Sequence, residues 1–540
     1  MCKAQDNKAD NPHQKQQLSL GKALKQLALE LLWIFITQIH SLFDLVVDFC
    51  FKLYYQNKIR KVGPIKNKLL LESAVDLAEK IRNKKVTAEE VVQSFIERCK
   101  EVQEILNVIV EDRYEQAIAE AKEVDKLINK HPDPASFEIT KPFLGIPFTT
   151  KESNEAKGFL HTMGSMFRRD YRSPEDATVI GYLKSAGGII IAKTNIPELN
   201  MWTESRNNLY GQTNNPYDTT RTVGGSSGGE GAIIASCGAP ISIASDIGGS
   251  IRMPAFFNGV FGHKPSEGLT PMKGVGLREN EYDISMVEAG PICKKAVDLD
   301  PLLRVLIGDN ISKLKLDQPV DLKTLQIFYQ EESGDIRCSK VSGSLRKAMK
   351  NAVDHFKGIT GAATKVKLPG TEYSYRLWRY WMTKEVGEFN QNITNKQYRT
   401  TAKAELVNLL TFRSQLTLAA IIKLIDNDYL PKEKGEWAEK TTENLKVELL
   451  NKLGDNGVLF YPSSPLTAGY HYSAYFKPFN FGYWCIFNVL KFPACQVPLG
   501  LDKNGLPVGI QVVAAPYQDH LCLAVARELE SAFGGWVNPS

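Results

Sequence analysis

Two short apolar runs that each end on polar residues constrain the fold of this chain more than any other feature. Residues 143–151 read FLGIPFTTK and residues 187–195 read GGIIIAKTN. Neither run is long enough for an amphipathic helix, and neither alternates. A short, continuously apolar run bounded by turn residues reads as a strand covered on both faces. Residues 176–186, between them, carry helical spacing, so strands and helices alternate along the chain. That alternation predicts an α/β fold: a mixed sheet with helices on both faces. At 540 residues the chain can hold one large domain or several small ones, and no internal repeat or low-complexity tract divides it.

The N-terminal segment reads differently. Residues 1–26 form a polar leader, and residues 27–56 are apolar, starting too late for a cleavable signal peptide. Gln38, His40, Asp44 and Asp48 interrupt the apolar run, and a charge at the bilayer centre costs about 2.5–3.5 kcal/mol. The polar positions Thr37, Ser41, Asp44, Asp48 and Lys52 recur every three or four residues. They form one stripe of a helix whose other faces carry Trp33, Phe35, Phe43, Val47 and Phe51. Such a helix can lie in a membrane interface, span the membrane, or pack on the rest of the protein. It carries no motif chemistry, so it is expected to hold the protein at a membrane without taking part in catalysis.

A basic linker, 57–69, follows, and a catalytic body is expected over 70–540. Its first helical pattern covers 73–100, with Thr87 as an N-cap ahead of Glu89 and Glu90. Residues 405–425 are apolar apart from Glu405, Arg413 and Lys423. They read either as a core helix pair or as an exposed apolar cap touching a membrane.

Charge and cysteine usage exclude other classes. The 66 basic and 61 acidic residues nearly cancel, with no dense basic stripe, so nucleic acid is not an expected partner. The nine cysteines form no C-x-x-C pair and no zinc-type or disulfide spacing, and are expected to be free thiols in a reducing, intracellular compartment.

The densest motif is GGSSGGEG, residues 224–231. It lacks the Gly-Lys-Ser/Thr ending of a phosphate loop and the frame of a dinucleotide site. What it offers is backbone freedom and two adjacent hydroxyls, Ser226 and Ser227. Farther on, SDIGGSIRMPA sets Ser250 after two glycines, where backbone N–H groups can converge on a small anion, as an oxyanion hole requires. A serine needs a base to become a nucleophile. None of the eight histidines lies in a triad signature; His263, in FGHKP, is the nearest to the serines and is as readily structural. The alternative base is a lysine kept neutral by burial, and Lys151 closes one of the apolar strands.

Together these blocks resemble the amidase signature family: PFLGIPFTTKE, VGGSSGGEGA, SDIGGSIRMPAFFNGVFGHKPS, and later GPICKKAVDL and GLPVGIQVV. The N-terminal apolar segment, the glutamate of GGEG, PFNFGYW and FGGWV are most similar to its animal fatty-acid amide hydrolases. The resemblance implies the family's α/β/α fold around a mixed twisted sheet, here preceded by an apolar helix. It implies Ser250 as nucleophile, Lys151 as base, and Ser226 as the proton bridge, following a cis bond from Gly225. It implies an oxyanion hole from the N–H groups of Ile247, Gly248, Gly249 and Ser250, supported by Ser227, Asp246 and Arg252. No metal or organic cofactor is then required. The expected partners are a fatty-acid amide substrate and membrane lipid, and a homodimer is compatible with the sequence. Two rivals remain: an amidotransferase-like enzyme passing ammonia to tRNA-bound substrates, and a catalytically silent membrane scaffold.

Overall fold

The computed structural model describes residues 35–282, 285–385 and 387–540. The leader 1–26 and the first residues of the apolar segment, Trp33 included, lie outside them. Eleven strands form one sheet: β1 (Ile109–Asp112), β2 (Pro147–Lys151), β3 (Ile189–Thr194), β4 (Ile241–Asp246), β5 (Phe261–Lys264), β6 (Glu288–Cys293), β7 (Gln326–Tyr329), β8 (Thr364–Lys365), β9 (Gly457–Pro462), β10 (Ala494–Leu501) and β11 (Pro507–Ala514). Their spatial order is β1-β3-β2-β4-β6-β5-β10-β11-β9-β7-β8. β2 runs parallel to β3 and β4, whereas β6, β5, β10 and β11 pair antiparallel, so the sheet is mixed as expected.

Every residue of β2, β3 and β4 is buried, which is why their sequences lack alternation. The carboxyl ends of β2 and β4 carry Lys151 and Asp246. Open α/β sheets bind ligands at such strand ends.

The helices include α1 (35–55), α2 (Gly228–Ala235), α3 (Arg252–Phe257), α4 (Ala402–Leu410), α5 (Leu418–Tyr429) and α6 (Gly482–Val489). The pattern over 73–100 resolves into two helices, Ala74–Arg82 and Ala88–Leu106. Lys84 between them takes φ 58°, and the Thr87 hydroxyl caps the second by accepting from Glu90 N. The apolar stretch 405–425 is likewise split: the inner faces of α4 and α5 bury Ala402, Ala420, Ile421 and Leu424. The turn between them leaves Phe412 97% exposed and the end of α4 leaves Leu410 78% exposed, so the cap reading describes it better than a core pair.

Helix α1 docks in the sense opposite to an ordinary surface helix. Its polar stripe faces the protein: Asp44 is buried, and Lys477 pairs with Asp48 at 2.7 Å and with Asp44 at 3.9 Å. Phe51 and Tyr55 stack on Tyr470, with ring centroids 6.4 and 5.6 Å away, while Phe35, Leu42, Phe43 and Val46 face outward. No helix among the described residues is long and apolar enough to cross a membrane, so the spanning reading finds no support there. Eight described cysteines are free and all but Cys50 are buried, in line with expectation.

Candidate active site

Lys151 is fully buried at the end of β2, and its Nζ donates to Ser226 Oγ at 2.7 Å and to Ser245 Oγ at 3.1 Å. Burial lowers its pKa from 10.5 to about 7, against the opposing pull of Asp246 and Glu230. Burial alone does not single it out, because Lys193 and Lys264 are buried too. Those two spend their ammonium on the carbonyls of Leu160 and Pro265, and only Lys151 of the three is directed at serine hydroxyls.

The two serine blocks meet across the carboxyl end of the sheet. The Gly225–Ser226 peptide is cis, and Ser227 N donates to the carbonyl of Ser250 at 3.2 Å. Gly225 cannot be replaced in place, since a Cβ there would lie 2.4 Å from Trp202 O. Ser250 lies in the turn two residues before α3, and Gly249 before it takes φ 109° with Trp484 directly against it. The loop from Asp246 to Ser250 thereby turns its backbone toward a cavity of about 1310 Å³, lined by Gly225, Ile247, Gly248 and Ser250. Trp378, Phe481, Trp484, Met253 and Phe257 supply apolar walls. The volume exceeds the ~300–1,000 Å³ usual for small-molecule sites.

Asp246 and Arg252 hold that loop. The carboxylate accepts from the N–H groups of Gly249 and Ile251 at 2.6 and 3.1 Å, and the guanidinium of Arg252 forks onto both its oxygens at 3.0 Å. Burial would raise the Asp246 pKa, but Arg252 beside it overrides this and holds the carboxyl well below its usual range. Arg252 also donates to Gln511, Asn488 and the Trp484 carbonyl, so the pair is fully hydrogen-bonded. Removing one partner of such a buried pair leaves an uncompensated charge. Arg252→Met is expected to destabilise the fold by about 3–5 kcal/mol, read as a lower urea midpoint. An unchanged midpoint would remove Arg252 from this structural role.

Several neighbours escaped the sequence reading. Ser245 directly precedes Asp246 and is the second acceptor for Lys151. Glu230 is buried in α2 and accepts from Thr149 at 2.5 Å and Thr194 at 2.7 Å; burial pushes its pKa up to about 7, against those hydrogen bonds. Thr149 lies two residues before Lys151, so strand alternation could have placed it on the Lys151 face, whereas Thr194 reaches Glu230 from β3 as the register partner of Lys151, a pairing only the fold shows. Asn488 and Gln511 gave no such signal. His263 is held by Asp519 at 3.0 Å in a buried pair, which fits its structural reading.

A family model described as Amidase matches residues 90–523. The chain belongs to the amidase signature family. It is 44% identical over 492 residues to human fatty-acid amide hydrolase 2, covering 88% of this chain and 92% of that one. It is 41% identical over 501 residues to zebrafish fatty-acid amide hydrolase 2-A, covering 91% and 94%. A solved structure titled fatty acid amide hydrolase superposes with TM-score 0.69 at 20% identity, covering 92% of this chain and 89% of the other, a likeness of fold. As a member of the amidase family the chain is a hydrolase of amide carbon–nitrogen bonds.

Proposed function

We propose that this chain is a membrane-associated fatty-acid amide hydrolase, cleaving primary amides or N-acylethanolamines to the fatty acid and ammonia or amine. The observation that carries this reading is the buried Lys151 amine, 2.7 Å from Ser226, beside a large apolar cavity that contains Ser250. With its pKa lowered to about 7, Lys151 is substantially neutral near neutral pH. Neutral Lys151 takes a proton from Ser250 through Ser226, and the Ser250 Oγ attacks the amide carbonyl. The resulting ammonium returns a proton by the same route to the leaving nitrogen, without which an amide nitrogen leaves badly. Water then repeats the cycle on the acyl-Ser250 ester.

The Gly249 N–H is engaged by Asp246, so the oxyanion donors in this reading narrow to Ile247, Gly248 and Ser250. Gly225 and Ser227 shape the bridge, and Asp246 and Arg252 fix the loop. Membrane association is supported by the outward apolar side of α1 and by the exposed Leu410 and Phe412, since stable anchoring commonly takes two signals.

Two measurements test the reading. Purified protein is expected to be labelled by a fluorophosphonate probe, and folded protein that resists labelling would favour the silent scaffold. Against a panel of acyl amides, turnover of long-chain amides is expected. Turnover of glutamine alone would favour the amidotransferase-like rival.

A further inference from the structure

The cavity that holds Ser250 does not close on the catalytic body alone. Leu45, Asp48, Phe49 and Lys52 of α1 line it, as does Ile422 of α5. Leu45 and Phe49 are one helical turn apart and so share a face of α1. They are 67% and 60% exposed, the condition of side chains at an opening. Lys477, which anchors α1 through Asp48 and Asp44, lines the same cavity with its side chain only 7% exposed. The stacks of Phe51 and Tyr55 on Tyr470 fix the helix from its C-terminal end. The helix is thus seated by buried polar and aromatic contacts, and it leaves an apolar pair at the mouth.

We infer that α1 forms one wall of the cavity mouth and that Leu45 and Phe49 set a preference for long acyl groups. The inference rests on the acyl-amide reading above. A short acyl group attached at Ser250 is contained by Met253, Phe257, Phe481 and Trp484. A long one continues outward and buries its distal methylenes against Leu45 and Phe49. Each methylene so buried is worth about fourfold in binding. On this inference the N-terminal helix, expected to stand apart from catalysis, contributes surface to the substrate cavity, although none of its residues is a catalytic residue.

The test uses the full-length protein in detergent micelles, with oleoyl and butyryl primary amides as the long and short substrates. Leu45→Ala combined with Phe49→Ala is expected to lower the long-to-short ratio of kcat/KM about tenfold, chiefly by raising KM for the long amide. Lys477→Met loosens the helix without altering either apolar side chain, and is expected to lower the same ratio. Lys477→Arg, which keeps the ion pair, is expected to retain it. Fluorophosphonate labelling reports whether each variant is folded; if the alanine pair fails to fold, the Lys477 variants decide. An unchanged ratio in folded variants of an enzyme that turns over the long amide overturns the inference alone. Wild-type protein that turns over neither amide overturns the acyl-amide reading and the inference with it.

Discussion

Ser250→Ala is expected to abolish acyl-enzyme formation and to lower kcat by a factor on the order of 10⁶, the loss seen when a protease's serine nucleophile is removed. The fold should survive. Ser250 contributes a hydroxyl at the cavity wall, whereas the loop around it is held by Asp246 and Arg252. Intact-mass measurement after fluorophosphonate treatment should place one adduct on wild-type protein and none on the variant, and peptide mapping should assign it to Ser250. An adduct on Ser226 or Ser227 would reverse the proposed roles of the serines, since both lie within the same hydrogen-bonded cluster.

Lys151→Ala is expected to cost about 10²–10⁴-fold in amide hydrolysis, the usual worth of a positioned acid–base group. The wild-type pH profile carries the sharper information. In its proposed role Lys151 acts as base only when neutral, and burial has lowered its pKa from 10.5 to about 7, so kcat/KM should rise through pH ~7 and level off above it. The variant should lose that limb. The same shift has a stability consequence of definite sign. Between about 7 and 10.5 the unfolded chain holds a proton on this amine that the folded chain lacks, so the cost of burying the amine is relieved and stability rises as pH rises through that window. A flat profile from pH ~6 to ~10, with chemistry rate-limiting, would assign the base to another residue.

Much of the site was legible because its residue types are unusual for their local setting. A lysine closing an apolar strand and two serine blocks rich in glycine contradict ordinary core composition, and each contradiction marks a residue now found at the carboxyl end of the sheet. The strands Pro147–Lys151 and Ile189–Thr194, within the runs 143–151 and 187–195, were legible for a related reason: burial on both faces removes polar positions from the pattern. The docking of α1 was not legible. Its polar stripe left an in-plane helix, a span and a helix packed on the protein all open, and Lys477, 429 residues away from Asp48, turns it inward. Asn488 and Gln511 were hidden likewise, since ordinary polar residues acquire meaning only from what folding brings beside them.

The Arg252 network has a bearing on how the enzyme is made. The Arg252 guanidinium, two residues from Ser250, is satisfied by Asn488 and Gln511, 236 and 259 residues farther along the chain. During synthesis, the two serine blocks therefore leave the ribosome well before the groups that hold their loop. Contacts so distant in sequence form late, after their closure entropy has been overcome. The nascent chain passes through a long interval in which the hydroxyls and the lysine exist but the loop lacks its full support. Full support of the loop arrives only with α6 and β11, near the end of the polypeptide.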